Sequence, residues 1–145
     1  MLLTMEKKIL IVDDNDFLRE LLTTVLRSHG YRVQASHDGF SGLRALDKTP
    51  YDLLITDNQM PGMSGIELIE EICSRDMNIK IILISGDLTK EVLERVEEKG
   101  VIICLTKPFP LNLMMETVGR VLEVEEVSKR SYTCDHSQRL ESAGL

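Results

Sequence analysis

Five short apolar runs alternate with five amphipathic stretches along this chain, and few folds accommodate that pattern. The runs are Lys8–Val12 (KILIV), 32–35, 53–56 (LLIT), Lys80–Ser85 (KIILIS) and 101–106. Short apolar runs closed by turn residues read as buried strands. After the first, Phe17, Leu18, Leu21, Leu22, Val25 and Leu26 recur as one helical stripe over 16–29. Asn15 or Asp14 can cap that helix and Gly30 can stop it. Asp38 can cap a second helix, running to about Lys48, with Phe40, Leu43 and Leu46 expected inward. Ser64-Gly65-Ile66-Glu67 has the form of a capping box opening a third helix to about Arg75. Its expected apolar face is Ile66, Ile69, Ile72 and Cys73. The fourth, 89–99, is strongly charged, with Val92, Leu93 and Val96 as its apolar stripe. The fifth runs from Leu111 to about Glu126, with Leu113, Met114, Thr117, Val118, Val121 and Leu122 inward.

Strict alternation with short connections predicts a parallel sheet covered by helices on both faces. Five units are too few for a closed eightfold barrel, so an open, doubly wound five-stranded α/β sheet is expected. One domain over 6–126 accounts for the pattern. The segment 127–145 lacks an apolar period and is expected to be a flexible tail or linker, and 1–5 a frayed start.

Charge narrows the functions. Lys plus Arg number 17 and Asp plus Glu 24, a net charge of −7, which argues against direct nucleic-acid binding through the overall field. No apolar run approaches the roughly 20 residues that span a bilayer. The opening MLLTMEKK is too short for a signal peptide's apolar region. A cytoplasmic protein without membrane partners is expected. Cys73, Cys104 and Cys134 have no zinc-ligand spacing, and the first two, in apolar surroundings, are expected to be buried reduced thiols.

The chemistry sits where strands end. The first strand runs into Asp13-Asp14, the third into Asp57, the fourth ends at Ser85 and the fifth runs into Lys107. In a parallel sheet these ends share one edge, where open α/β folds hold their ligands. Each feature alone is ordinary: acid pairs cap helices, Lys-Pro makes turns, and a serine after a strand usually does nothing. Their joint occurrence is the specific signal. Two like charges about 4 Å apart repel by roughly 4 kcal/mol at an effective dielectric near 20, so three gathered acids call for a cation. Few hard carboxylate oxygens suit Mg²⁺, which keeps waters and shares phosphates. Lys107 supplies a point charge for a phosphoryl oxygen and Ser85 a hydroxyl donor. Between metal and lysine, Asp57 is placed as a nucleophile able to carry a phosphoryl group.

Asp13-Asp14, Asp57 followed by Met60-Pro61-Gly62, Ser85-Gly86 and Lys107-Pro108-Phe109 resemble the signature of two-component response regulator receiver domains. The resemblance implies a flavodoxin-like strand order 2-1-3-4-5. It makes Asp57 the phosphoacceptor, and Asp13, Asp14, Asp57 and the Gln59 backbone carbonyl the ligands of Mg²⁺, with Mn²⁺ as a substitute ion. Ser85 and Lys107 would hold phosphoryl oxygens, and the bond before Pro108 would be cis. Gln59 and Asp87 stand at positions that tune phosphate lifetime. Cys104 stands where an aromatic switch residue is common, so that switch is expected to be atypical here. The implied partners are a histidine kinase or phosphotransfer protein and a downstream protein target or output domain. A homodimer through the fourth-helix, fifth-strand and fifth-helix face belongs to the same expectation.

Two other functions compete. A Mg²⁺ phosphatase or phosphotransferase using an aspartyl-phosphate commonly has a second acid two residues after its nucleophile, and here that residue is Gln59. A phosphate-independent pseudo-receiver would lack an acid or the lysine, and all are present. The expected protein is therefore not an enzyme toward external substrates. It would catalyse only its own phosphorylation and dephosphorylation.

Overall fold

The computed structural model describes residues 6–99 and 103–123. Five strands and five helices alternate: β1 (Lys8–Val12), α1 (Asp16–Ser28), β2 (Arg32–Ser36), α2 (Gly39–Lys48), β3 (Leu53–Asp57), α3 (Gly65–Ser74), β4 (Lys80–Ser85), α4 (Lys90–Glu98), β5 (Ile103–Thr106) and α5 (Leu111–Glu123). The strands form one parallel sheet in the order β2-β1-β3-β4-β5. This is the open doubly wound sheet that the alternation predicts. The expectations for 1–5, Gly100, the first residues of the last strand, the end of the last helix near 126, Cys134 and the 127–145 tail lie outside the described residues.

The sheet divides the core into two layers. Leu10, Val12, Leu54, Ile81, Leu83 and Cys104 pack with the inner residues of α2, α3 and α4. Ile9, Ile11, Leu53, Ile55, Ile82, Ile84 and Leu105 pack with those of α1 and α5. Alternate residues of each strand thus serve opposite layers, which is why the strands read as continuous apolar runs. Every residue of β3 is buried.

Local chemistry fixes the helix starts. Asn15 caps α1, its side chain accepting the Leu18 N–H; Asp38 accepts from Ser41, and Thr89 from Val92. The capping box of Ser64 and Glu67 forms as the sequence predicts. Among the described residues no helix is long and apolar enough to cross a membrane.

Three side chains depart from the predicted faces. Phe17, expected in the buried stripe of α1, is 74% exposed, and Leu22 and Leu26 fill the core instead. Phe17 lies in the first turn, at the sheet's carboxyl edge. Phe40, expected inward on α2, is 51% exposed. The inner face of α2 belongs to glycines: a Cβ on Gly39 would lie 2.7 Å from Met63 Cβ, and one on Gly42 2.7 Å from Val12 Cγ2. Glycine brings that helix too close for a large residue, and Phe40 rests on the flank against Gly62. Cys73, expected buried on α3, is exposed, with its Sγ 3.5 Å from the Lys99 carbonyl oxygen. Leu68 is buried in α3 along with the three isoleucines.

The glycine spacing makes a stability prediction with two signs. Gly42→Ala should destabilise by about 1–3 kcal/mol, because the methyl overpacks Val12. Gly119→Ala, inside α5 and with nothing within 4 Å of the new Cβ, should stabilise by up to about 1 kcal/mol through helix propensity. Urea unfolding midpoints check both, and the two variants should move in opposite directions.

Candidate functional site

Register brings the site together. Val12 pairs with Thr56 across β1 and β3, so the next residues, Asp13 and Asp57, emerge side by side. Asp57 pairs with Ile84, one residue before Ser85, and Ser85 pairs with Thr106, one residue before Lys107. The Lys107 N–H donates to the Ser85 carbonyl at 2.8 Å. With neighbouring strands about 4.8 Å apart, residues spread over most of the sequence meet at one edge.

Asp13 and Asp57 are 1% and 3% exposed, whereas Asp14 is exposed. One ligand oxygen from each of Asp13, Asp14 and Asp57 lies within 4.8 Å of the other two. Lys107 Nζ lies 3.4 Å from Asp57 Oδ1 and 3.7 Å from Asp13 Oδ2. These are ion-pair distances, and neither oxygen, although buried, has a hydrogen-bond partner. Two buried carboxylate oxygens facing a shared acidic cluster without hydrogen bonds are what a hard divalent cation satisfies. The donor set therefore fits Mg²⁺, and Asp14 lies on its solvent side.

Burial raises both buried carboxyls above the ordinary carboxylate range. For Asp57 the neighbouring Asp13 charge adds to that rise and Lys107 opposes it. For Asp13 the Asn15 backbone N–H and Lys107 oppose it. Because the folded values lie above the unfolded ones, ionisation at neutral pH opposes folding. That burden is absent below the unfolded carboxylate range and appears as pH rises through the raised folded values.

The remaining predicted residues lie around the acids. Ser85 is fully buried, its Oγ accepting the Asp87 N–H at 3.0 Å, which ties the start of the next loop back to the strand. The Lys107–Pro108 peptide bond is cis. Gln59 is exposed, and its Oε1 lies 3.7 Å from a Cβ built on Gly86. Cys104 is 2% exposed and belongs to the core layer of α4, with Leu83 and Val96. It faces the helix layer, away from solvent. Beside the acids, Asn15, Leu18, Leu21, Lys107, Pro108, Phe109 and Leu111 line a largely apolar cleft of about 460 Å³.

Two residues at the site escape sequence reasoning. Arg19 donates from Nη1 to the Asp13 carbonyl at 2.7 Å and pairs through Nη2 with Asp16 at 2.6 Å, holding the acid-bearing turn to α1. The i, i+3 spacing signals the Asp16 pair, but nothing in it signals the carbonyl. Asn58, directly after the nucleophile candidate, is a hydrogen-bond hub, with its side-chain Oδ1 accepting the Ile66 N–H at 3.0 Å. An Asn after a strand reads as a turn residue, and its target eight positions on is a tertiary fact.

Known proteins match this architecture. The model of the response regulator receiver domain matches residues 9–119. The sporulation initiation phosphotransferase F of Bacillus subtilis is 31% identical over 121 residues, covering 83% of this chain and 98% of that protein. The sensor histidine kinase RcsC of Escherichia coli is 33% identical over 121 residues, covering 83% of this chain, which spans only 12% of that protein's length. The solved structure of the Vibrio cholerae chemotaxis protein CheY4 superposes with a TM-score of 0.76 at 27% identity, covering 81% of this chain and 99% of that one. With the family model running from β1 into α5 and across every strand end of the site, the chain belongs to the response regulator receiver domains of two-component signalling.

Proposed function

We propose that this receiver accepts a phosphoryl group on Asp57 from a histidine kinase or phosphotransfer protein and passes the change on to a protein partner. The observation that carries the reading is the pair of buried, hydrogen-bond-free oxygens of Asp13 and Asp57 beside Lys107. An Asp57 carboxylate oxygen attacks phosphorus, and a new P–O bond forms as the donor's P–N or P–O bond breaks. The bonding electron pair leaves with the donor group. Lys107, already 3.4 Å from Asp57, offsets the charge that builds on the phosphoryl oxygens. Ser85 supplies a hydroxyl donor to the same group. Asp13, Asp14, Asp57 and the Gln59 carbonyl would hold Mg²⁺, which supplies Lewis-acid stabilisation of those oxygens.

The apolar cleft beside Lys107, with Phe17 exposed nearby, suits the helical surface of a phosphodonor protein. Gln59 and Asp87, both exposed at the site, are by resemblance to the family the positions that would tune the lifetime of the phosphoryl group. The reading covers 6–126 as the receiver unit, in the cytoplasm, and leaves external substrates out of its chemistry. Output through the α4–β5–α5 face, to a target, an attached domain or a second copy, follows from the loose seating of α4, whose single fully buried side chain is Val96.

Mg²⁺ should stabilise the folded protein, since a ligand of the native state alone adds about 2.7 kcal/mol at about 100 times its Kd. That corresponds to a rise of several degrees in Tm. Asp14→Ala should lose most of the rise, and an equal rise in both proteins would exclude this acid cluster as the site. Phosphoryl uptake from acetyl phosphate should add one phosphoryl mass to the wild type, at Asp57 alone. Asp57→Asn keeps the shape but removes the nucleophile, and intact-protein mass spectrometry should find it unmodified.

The atypical position gives a third test. Cys104 is locked in the core and has no ring to move, so the signal is expected to pass through Ser85 and the loop it holds to α4. Under a beryllofluoride mimic, hydrogen exchange over Asp87–Lys99 should change in the wild type. Ser85→Ala should abolish that change, whereas Cys104→Ala should keep most of it. Loss in Cys104→Ala, with Asp57 still occupied, would put the thiol in the switch.

A further inference from the structure

We infer that Asn58 is a positioning residue, fixing the Asp57–Gln59 segment against the start of α3 so that the acid and the following carbonyl are held in place for the cation. The inference rests on the proposed role of Asp57 and Gln59 as Mg²⁺ ligands. Four hydrogen bonds converge on this one residue. Its N–H donates to the Ile84 carbonyl of β4 at 2.8 Å. Its carbonyl accepts the Met60 N–H at 3.1 Å and the Gly65 N–H at 2.9 Å. Its Oδ1 accepts the Ile66 N–H at 3.0 Å.

The two bonds to α3 are unusual in what they join. The first N–H groups of a helix need outside acceptors, ordinarily the capping residue. Here Ser64 serves only the third and fourth: its Oγ accepts from Glu67 at 3.1 Å and its carbonyl from Leu68 at 2.9 Å. The first two, on Gly65 and Ile66, are taken by Asn58. The helix start is therefore docked on the residue next to the nucleophile. A side chain on Gly65 would collide with the Asp57 carbonyl oxygen, so the docking leaves no slack. The Met60 bond closes a tight turn with Gln59 at its apex, which sets the direction of the Gln59 carbonyl.

The test separates positioning from helix capping. Removing groups that orient metal ligands typically weakens binding by about 10- to 100-fold. Asn58→Ala in the 145-residue chain should raise the Mg²⁺ Kd, measured by calorimetry, by at least about tenfold, and slow phosphoryl uptake from acetyl phosphate. Ser64→Ala removes a cap from the same helix without touching the Asp57–Gln59 segment. It should lower Tm comparably and leave the Mg²⁺ Kd at the wild-type value. Asn58→Asp keeps the acceptor for Ile66 and should bind Mg²⁺ no more weakly than the wild type. The inference is overturned if Asn58→Ala keeps the wild-type Kd, if Ser64→Ala weakens binding equally, or if Asn58→Asp weakens it as much as alanine does. A wild type that binds no Mg²⁺ would instead remove the reading on which the inference rests.

Discussion

Everything at this site depends on two carboxylates, Asp13 and Asp57, being held side by side out of water. Burying an unpaired charge is among the most costly things a fold can do, and these two raise each other's cost. The acids cannot relax apart, because Asp13 follows β1, buried from Ile9 to Val12, and Asp57 ends the wholly buried β3, in a register locked by the pairing of Val12 with Thr56. Register, not side-chain preference, opposes the repulsion. Lys107 offsets part of it from 3.4 and 3.7 Å, distances at which it attracts both acids without hydrogen-bonding to either buried oxygen. The result is a site with unsatisfied acceptor capacity on a rigid frame, which is the condition for binding a small hard cation rather than tolerating its absence.

The same frame explains what the sequence can and cannot disclose. Strand and helix identities were legible because apolar periodicity is a local signal, and the strand ends were legible because the polar residue interrupting each run is adjacent to it. The capping box of Ser64 and Glu67 was legible for the same reason. What was hidden lies between elements. Phe17 and Phe40 match the helical period yet face solvent, since period alone does not say which part of a stripe the sheet covers. At α2 the deciding fact was the closeness of Gly39 to Met63 and Gly42 to Val12, and small residues signal close approach only once the neighbour is known. Cys73 continues the apolar face of α3 by spacing, but it lies in the last turn of α3, where the exposed thiol meets the carbonyl of Lys99. Arg19 and Asn58 are polar residues whose partners, a backbone carbonyl and a distant helix N–H, carry no sequence signature at all.

Differences in helix seating decide where a change at the acids can travel. Each fully buried aliphatic side chain contributes about 1.5–3 kcal/mol to docking. The helix α3 buries Ile66, Leu68, Ile69 and Ile72, whereas α4 buries Val96 alone. The other ties of α4 are partial: Val92 and Leu93 pack on the core only partly buried, and the Arg95–Glu70 pair to α3 is half-exposed, such pairs being worth about 0–1 kcal/mol. Two helices thus connect to the acid edge under opposite conditions. One is pinned at its first turn by Asn58 and held by four apolar residues. The other follows the Ser85 loop and is held by one fully buried residue, Val96, and the partly buried Val92 and Leu93.

That asymmetry gives the site a direction. A group added at Asp57 would meet resistance on the α3 side, where even a Cβ on Gly65 would collide with the Asp57 carbonyl and movement would break several backbone bonds at once. On the β4 side the Asp87 N–H donates to Ser85 Oγ and ties the start of the loop to the strand. In the proposed reaction the Ser85 hydroxyl would turn to donate to a phosphoryl oxygen, and a shift of its Oγ would weaken the Asp87 bond that anchors the loop leading to α4. A single hydrogen bond of this class is worth about 0.5–1.5 kcal/mol, too little to displace a helix seated like α3 but comparable with what separates alternative placements of a helix seated like α4. Rigidity on one side of Asp57 is therefore what would let a small exchange of hydrogen bonds on the other side be felt at a distance.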